Sequence, residues 1–222
     1  MSAATGRPQA SAQGEGTPVS PAAAAPSPPA EPVLYVGDAR YARLWSLWKL
    51  ASGPDAAAQP DTGGEITRLL YREARLLDDR QYDAWLAVFA SECLYWIPRS
   101  TEPADPRTES GIYLDDRRRM ADRVAMIRTG HLHAQTPPAR TRRMLTNIES
   151  WTGTGTGTGT DGAAIARANV VIWEYRKGQL GSHAGMQIYE LVRDTSGAMV
   201  VATKIVSLLD CDGPQGNYSF ML

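Results

Sequence analysis

Apolar positions recur every three or four residues in the first part of the chain and every second residue in the last third. That change of period separates helices from strands. Tyr41, Leu44, Trp45 and Trp48 fall at i, i+3, i+4 and i+7, so a short amphipathic helix is expected near 38–50. Ser52-Gly53-Pro54 and Gly63-Gly64 set it apart. Docking as an arm on another chain and packing on its own domain both remain open. Ile66, Leu69, Leu70, Ala74 and Leu77 form a second helical stripe, broken at Asp78-Asp79-Arg80, and Tyr82, Trp85, Leu86 and Phe89 belong to a third, short helix. Leu94 to Ile97 reads as a strand stopped by Pro98, and 99–111 as a loop. Asp115 or Asp116 can cap a helix with Met120, Val124 and Ile127 on its inner face and Gly130 as its stop.

After Pro137-Pro138 the period is two. Strands are expected over Met144–Trp151, Ile165–Tyr175, His183–Val192 and Met199–Leu209, with hairpin turns at 178–181 and 195–197. Helices first and then a meander of long strands imply an α+β fold, a curved antiparallel sheet wrapped around the N-terminal helices. The Thr-Gly run at 152–160 reads as a hairpin tip. Its glycines at 153, 155, 157 and 159 miss the G-x-G-x-x-G spacing, since 158 is Thr, and no helix follows. Residues 1–32 hold seven of the 15 prolines and no Leu, Ile, Phe, Tyr or Trp. Such a segment cannot offset its ordering entropy by burial and reads as disordered. The expected organisation is therefore a leader over 1–62, carrying the short helix, and one roll domain over 63–222.

Charge and chemistry narrow the function. With 23 basic and 24 acidic side chains the chain carries −1, which argues against a nucleic-acid binder. Two Cys and three His cannot supply a zinc ribbon or a Rieske site, so no metal or cofactor is expected on this chain. No apolar run reaches about 18 residues, so no membrane span is expected. The first residues lack the basic start and apolar core of a signal peptide. A cytoplasmic protein with Cys93 and Cys211 as buried thiols is the expectation. His131 and His133 stand two apart, a poor metal pincer in extended chain. Tyr82, Asp83, Asp79, His131 and Asp116 could on paper form an acid–base dyad inside a roll. Between Arg99 and Arg143 lie ten Arg, no Lys and six acids, a local +4 against about −5 elsewhere. Arginine suits desolvated, bidentate carboxylate pairing. Arg140, Arg142 and Arg143, beside the rigid Pro-Pro, are candidate subunit contacts. The apolar tail residues Tyr218, Phe220 and Leu222 are further candidates, because a free apolar tail invites aggregation.

Three separated stretches resemble one family. Tyr71-Arg-Glu-Ala-Arg-Leu-Leu-Asp-Asp-Arg-Gln-Tyr-Asp-Ala-Trp85 is similar to the first-helix signature of the small (beta) subunits of aromatic-ring-hydroxylating dioxygenases. Tyr95-Trp-Ile-Pro98 resembles the strand after it, and Pro137-Pro-Ala-Arg-Thr-Arg-Arg-Met-Leu-Thr-Asn147 the lead-in to the sheet. The ending Asn217-Tyr-Ser-Phe-Met-Leu222 is similar to the family's aromatic tails. The longer leader and the Thr-Gly repeat depart from the family pattern at its periphery. The resemblance, over about 64–222, implies the cone-shaped roll shared with nuclear transport factor 2. It also implies a structural, non-catalytic role beside a large (alpha) subunit. That partner would hold a Rieske 2Fe–2S cluster and a mononuclear iron(II), in a hexamer built on a trimer of small subunits. The competing expectation is a free-standing lyase or isomerase that uses the dyad above.

Overall fold

The structure, a computed structural model, describes residues 36–53, 59–60, 64–129, 136–152, 163–214, 218 and 220–222. The expectations for residues 1–35, Gly130, His131, His133 and most of the Thr-Gly repeat lie outside these. From Val36 to Leu222 the chain forms one unit. Among the described residues, four helices, α1 (Asp38–Ser52), α2 (Glu65–Asp78), α3 (Tyr82–Leu86) and α4 (Arg117–Thr129), accompany seven strands. The strands are β1 (Gln59–Pro60), β2 (Phe89–Ile97), β3 (Tyr113–Asp116), β4 (Arg140–Thr152), β5 (Ala164–Arg176), β6 (Gln179–Arg193) and β7 (Met199–Leu208). They form one sheet in the order β1-β4-β5-β6-β7-β2-β3. Every pairing is antiparallel except β2 with β7, so the sheet is mixed. Register shifts interrupt the β2–β7, β4–β5 and β6–β7 ladders, and such bulges bend and twist a sheet.

Strand alternation divides the core in two. On β2, Cys93, Tyr95 and Ile97 join Leu70, Leu77, Trp85, Met120 and Val124 of the helices in the larger cluster. Leu94 and Trp96, one residue out of phase, face α1 with Ile165, Ile188 and Ile205. The sheet is thus covered on both faces: α2, α3 and α4 fill its inner face, and α1 lies on the outer one. The helix expected near 38–50 packs on its own sheet rather than standing apart, so the unit begins well before residue 63. Leu44, Leu47 and Ala51 are buried in that contact, and Trp48 meets Trp96 edge-on at 6.1 Å. Polar ties fix its angle. Arg43 Nε donates to Glu190 at 2.9 Å, Arg40 Nη2 to the Cys93 carbonyl at 3.1 Å, and Arg167 Nη1 to the Ala51 carbonyl at 2.9 Å.

Local chemistry explains the connections. The β5–β6 hairpin turns at Lys177-Gly178, with φ of 50° and 82°, the paired left-handed conformation that closes two-residue hairpins. This is tighter than the 178–181 turn expected, and β6 accordingly starts at Gln179. Asp194 shapes the next turn by accepting from the backbone N–H of Ser196 (2.8 Å) and Ala198 (3.0 Å). Asp116 caps α4 through Arg119 N–H at 2.9 Å. At the break after α2, Arg80 takes φ of 56° while Asp79, Arg80 and Gln81 return backbone N–H bonds to the last turn.

Leu44→Ala removes a fully buried side chain from the α1 contact. It should cost about 2–5 kcal/mol, read as a lower urea midpoint at unchanged slope.

Candidate functional site

The interior of the roll is polar at its centre. Helix α2 turns Glu73 inward on the same stripe as Leu70, Ala74 and Leu77, and β7 turns Lys204 toward it from the opposite wall. Lys204 Nζ and Glu73 Oε1 are 2.8 Å apart with side chains 0% and 1% exposed. Trp85 Nε1 donates to the same carboxylate at 2.7 Å. Tyr189 donates to Gln187 Oε1 at 2.8 Å, with Glu73 Oε2 3.4 Å away. Burial lowers the pKa of the Lys204 ammonium from its ordinary value, opposed by the adjacent Glu73 carboxylate. Burial, reinforced by that carboxylate, holds the Tyr95 and Tyr189 phenols well above theirs. Both phenols are therefore neutral donors, and the centre is a buried hydrogen-bonded cluster.

The C-terminal residues complete it. The main-chain oxygen of Leu222 accepts from Tyr95 Oη at 2.5 Å and from Lys204 Nζ at 3.2 Å. Arg143 reaches the Met221 carbonyl through Nη2 and stands over the Phe220 ring at 5.7 Å. Its other arm pairs with Asp78 at 2.5 Å, and its backbone N–H donates to Asp78 Oδ2 at 2.9 Å. Tyr218 and Phe220 close on His183, ring centroids 5.3 and 5.6 Å away.

The interface candidates therefore separate. Arg143 is 1% exposed, and Tyr218, Phe220 and Leu222 are buried against their own roll. Arg140 and Arg142 point to the other face of β4. Arg140 stacks over Tyr175 at 4.7 Å, and Arg142 sits 3.8 Å from Asp79. With Trp173, Tyr175 and Leu180, all exposed, they line a groove of about 460 Å³. Much of the remaining arginine segment is internally engaged. Arg117 reaches the carbonyls of Leu86 and Phe89, and Arg119 and Arg123 share the buried Asp115.

The dyad does not assemble. Asp83 is exposed and paired with Arg128, Asp79 faces Arg142, Asp116 is spent as a helix cap, and Tyr82 is buried in the apolar core. His131 lies outside the described residues. Among the other bulky side chains, Trp85 and Phe89 lie inside the roll. Trp96 and Met186 belong to the outer cluster, and Trp173 is exposed. Sequence reasoning overlooked Glu73 and Lys204. The available signal was a charge standing within an apolar helical stripe and another within an apolar strand.

No group of three His, Cys, Asp or Glu among the described residues could hold a metal ion. The two Cys do not fit a cluster either. Cys93 and Cys211 are separate buried thiols, and burial pushes Cys93 up to about 11. No helix among the described residues is long and apolar enough to cross a membrane.

Residues 72–212 match the sequence family described as ring hydroxylating beta subunit. The chain is 33% identical over 147 residues to the small subunit of 2-halobenzoate 1,2-dioxygenase of Burkholderia cepacia, covering 64% of this chain and 86% of that one. It is 28% identical over 176 residues to the small oxygenase component of the p-cumate 2,3-dioxygenase system of Pseudomonas putida, covering 78% and 94%. The crystal structure of the beta subunit of benzoate 1,2-dioxygenase from Burkholderia mallei superposes with a TM-score of 0.55 at 27% identity, covering 73% of this chain and 99% of that one. The roll is the nuclear transport factor 2-like fold that the resemblance implied.

Lys204→Met leaves the Glu73 carboxylate buried without its counter-charge and should cost about 3–5 kcal/mol in denaturant unfolding. Adding Glu73→Leu should recover a large part of that loss, because it is the lone charge that is costly. Neither thiol should react with an aromatic disulfide reagent in the native protein at pH 8, and both should react after denaturation. The Cys93 thiol, raised in the folded state, contributes stability that is whole below pH 9 and is lost as pH rises through about 11. Cys93→Ala should flatten that part of the stability–pH curve.

Proposed function

The chain belongs to the ring hydroxylating beta subunit family, and on that premise we propose that it is the structural small subunit of an oxygenase that dihydroxylates an aromatic carboxylate. Its relatives are named as subunits of dioxygenases, so it is an oxidoreductase component, and the free-standing lyase or isomerase is not favoured. The observation that carries the non-catalytic role is the filled interior. The cavity where a roll could hold a substrate is occupied by the Glu73–Lys204 cluster and by Phe220 to Leu222.

The reaction's metals belong, in this reading, to the large subunit: a Rieske 2Fe–2S cluster that delivers electrons and a mononuclear iron(II) that activates oxygen. Residues of the small subunit contribute position. Three copies associate as a trimer and hold three large subunits in the cytoplasm, so that one subunit's cluster faces its neighbour's iron. The outer groove supports a contact role, since it combines Trp173, Tyr175 and Leu180 with Arg140 and Arg142, and aromatic residues and Arg are enriched at interface centres. Arg143, Tyr218, Phe220 and Leu222 support that surface from behind, through β4. The substrate class follows from three relatives named for 2-halobenzoate, benzoate and p-cumate, each a carboxylate on an aromatic ring.

Co-production with the large subunit tests the reading. It should yield a hexamer that dihydroxylates benzoate or toluate in preference to naphthalene, and omission of this chain should abolish both assembly and turnover. Full activity of the large subunit alone would overturn the assignment. The pair Arg142→Glu/Trp173→Glu should weaken assembly on the order of 30-fold while leaving the unfolding midpoint of the isolated chain near its original value.

A further inference from the structure

Helix α2 turns its apolar stripe and Glu73 into the roll and leaves a row of charged residues in solvent on the opposite side. That row reads Glu65, Arg68, Arg72, Arg75 and the cap residue Asp79, in alternating steps of three and four residues along one helical face. The acids at its two ends are taken by other elements: Glu65 pairs with Arg193 at 2.6 Å, and Asp79 lies 3.8 Å from Arg142. Arg68 has a partner. Arg72, Arg75 and, just past the helix end, Arg80 are exposed and make no side-chain hydrogen bond, ion pair or ring contact among the described residues. Most arginines elsewhere in the described residues are paired with an acid, bonded to a carbonyl or stacked on a ring. The helix gains nothing from this row. Arg68 and Arg72 stand four apart and repel, and Arg68 lies in the first turn, where the dipole disfavours a cation. Tyr71, beside Arg72 and between Arg68 and Arg75, leaves 43% of its surface in solvent. Exposed aromatic rings among arginines are the composition of interface centres.

We propose that the outward face of α2 is a docking surface for an acidic helix of a partner protein, with carboxylates paired to Arg72 and Arg75 and an apolar side chain laid on Tyr71. Charge complementarity selects the occupant. The row is built from Arg and contains no Lys, and the guanidinium fork matches a carboxylate in a way an ammonium does not. Arg68 to Arg75 spans about 10 Å at the helical rise, so a helix with Glu or Asp at the same steps of three and four meets the arginines in register. A nucleic acid fits less well, because the whole chain carries −1. The face does not include Arg142 or Trp173, so the proposal stands apart from the subunit assignment. Arg80, which lines the outer groove, carries the positive charge to its rim.

The experiment titrates the full chain with labelled probes, read by fluorescence anisotropy at low and at moderate salt. Two alanine-rich peptides of about 20 residues, long enough to hold a helix, carry the same glutamates and leucines. One aligns them on a single face and the other scatters them around the helix; heparin is the third probe. The aligned peptide should bind about tenfold more tightly than the scattered one, and salt should weaken it. Arg72→Ser/Arg75→Ser should lose about 5- to 10-fold in that affinity, the effect of two exposed ion pairs, without lowering the unfolding midpoint. Arg118→Ser/Arg128→Ser, which removes the same charge from α4, should leave the affinity unchanged. No binding of the aligned peptide, or equal affinity for the two peptides, overturns the proposal. So does an equal loss in the α4 variant. Tighter binding of heparin than of the aligned peptide, abolished by Arg72→Ser/Arg75→Ser, would mark a general polyanion surface and overturn it as well.

Discussion

A carboxylate and an ammonium taken out of water into the middle of the roll can stay ionised only if each finds the other and every remaining donor and acceptor is met nearby. Glu73 and Lys204 find each other at 2.8 Å, Trp85 adds a donor to the carboxylate, and the Leu222 oxygen accepts from both Lys204 and Tyr95. The rest of the fold follows from keeping water away from them. Helix α2 must lie across the sheet to deliver Glu73, and α3 must follow at once to deliver the Trp85 indole. The tail must turn inward to cover Lys204. Such a pair adds little net stability over an apolar core, but a helix displaced by one turn would leave a bare charge. It therefore specifies one arrangement of α2, β7 and the tail.

The same need for pairing links the interior to the outer surface. Asp78 ends α2 and binds Arg143 through both backbone and side chain, while Thr141 donates to it at 2.9 Å. Arg143 in turn holds the tail. The neighbouring Arg142 and Arg140 emerge on the opposite face of the same strand, beside Trp173 and Tyr175. One short stretch of β4 thus anchors the plug on one side and presents the aromatic and cationic groove on the other. A scaffold that must hold a fixed contact geometry benefits from this coupling, since the outer residues inherit the rigidity of the buried ones.

Much of this organisation was legible in the chain itself. The apolar stripes of α2, α3 and α4, the period-two strands after Pro137-Pro138 and the order of helices before strands all follow from local spacing. The separation of Arg142 from Arg143 was legible too. On a strand, neighbours face opposite sides, so grouping both with Arg140 as one surface neglected the alternation. Less accessible were the features that depend on long-range pairing. The parallel contact of β2 with β7 joins residues more than a hundred positions apart. Helix α1 could not be assigned to its own sheet without knowing that Leu94, Trp96 and Ile188 would leave an apolar outer face for it. The tail reads as apolar in either setting, and only the cluster it completes distinguishes an internal plug from an intersubunit one.

The most direct test of the sealed interior is the exchange rate of the Trp85 indole hydrogen, followed by NMR in deuterated buffer. That hydrogen lies in the cluster, donated to Glu73 at 2.7 Å. If the interior is a closed core, it should exchange only through global unfolding, with a protection free energy equal to that from denaturant titration and lowered equally by destabilising substitutions. Exchange within minutes under conditions where the chain is fully folded would mean that water enters the roll, and would contradict the account.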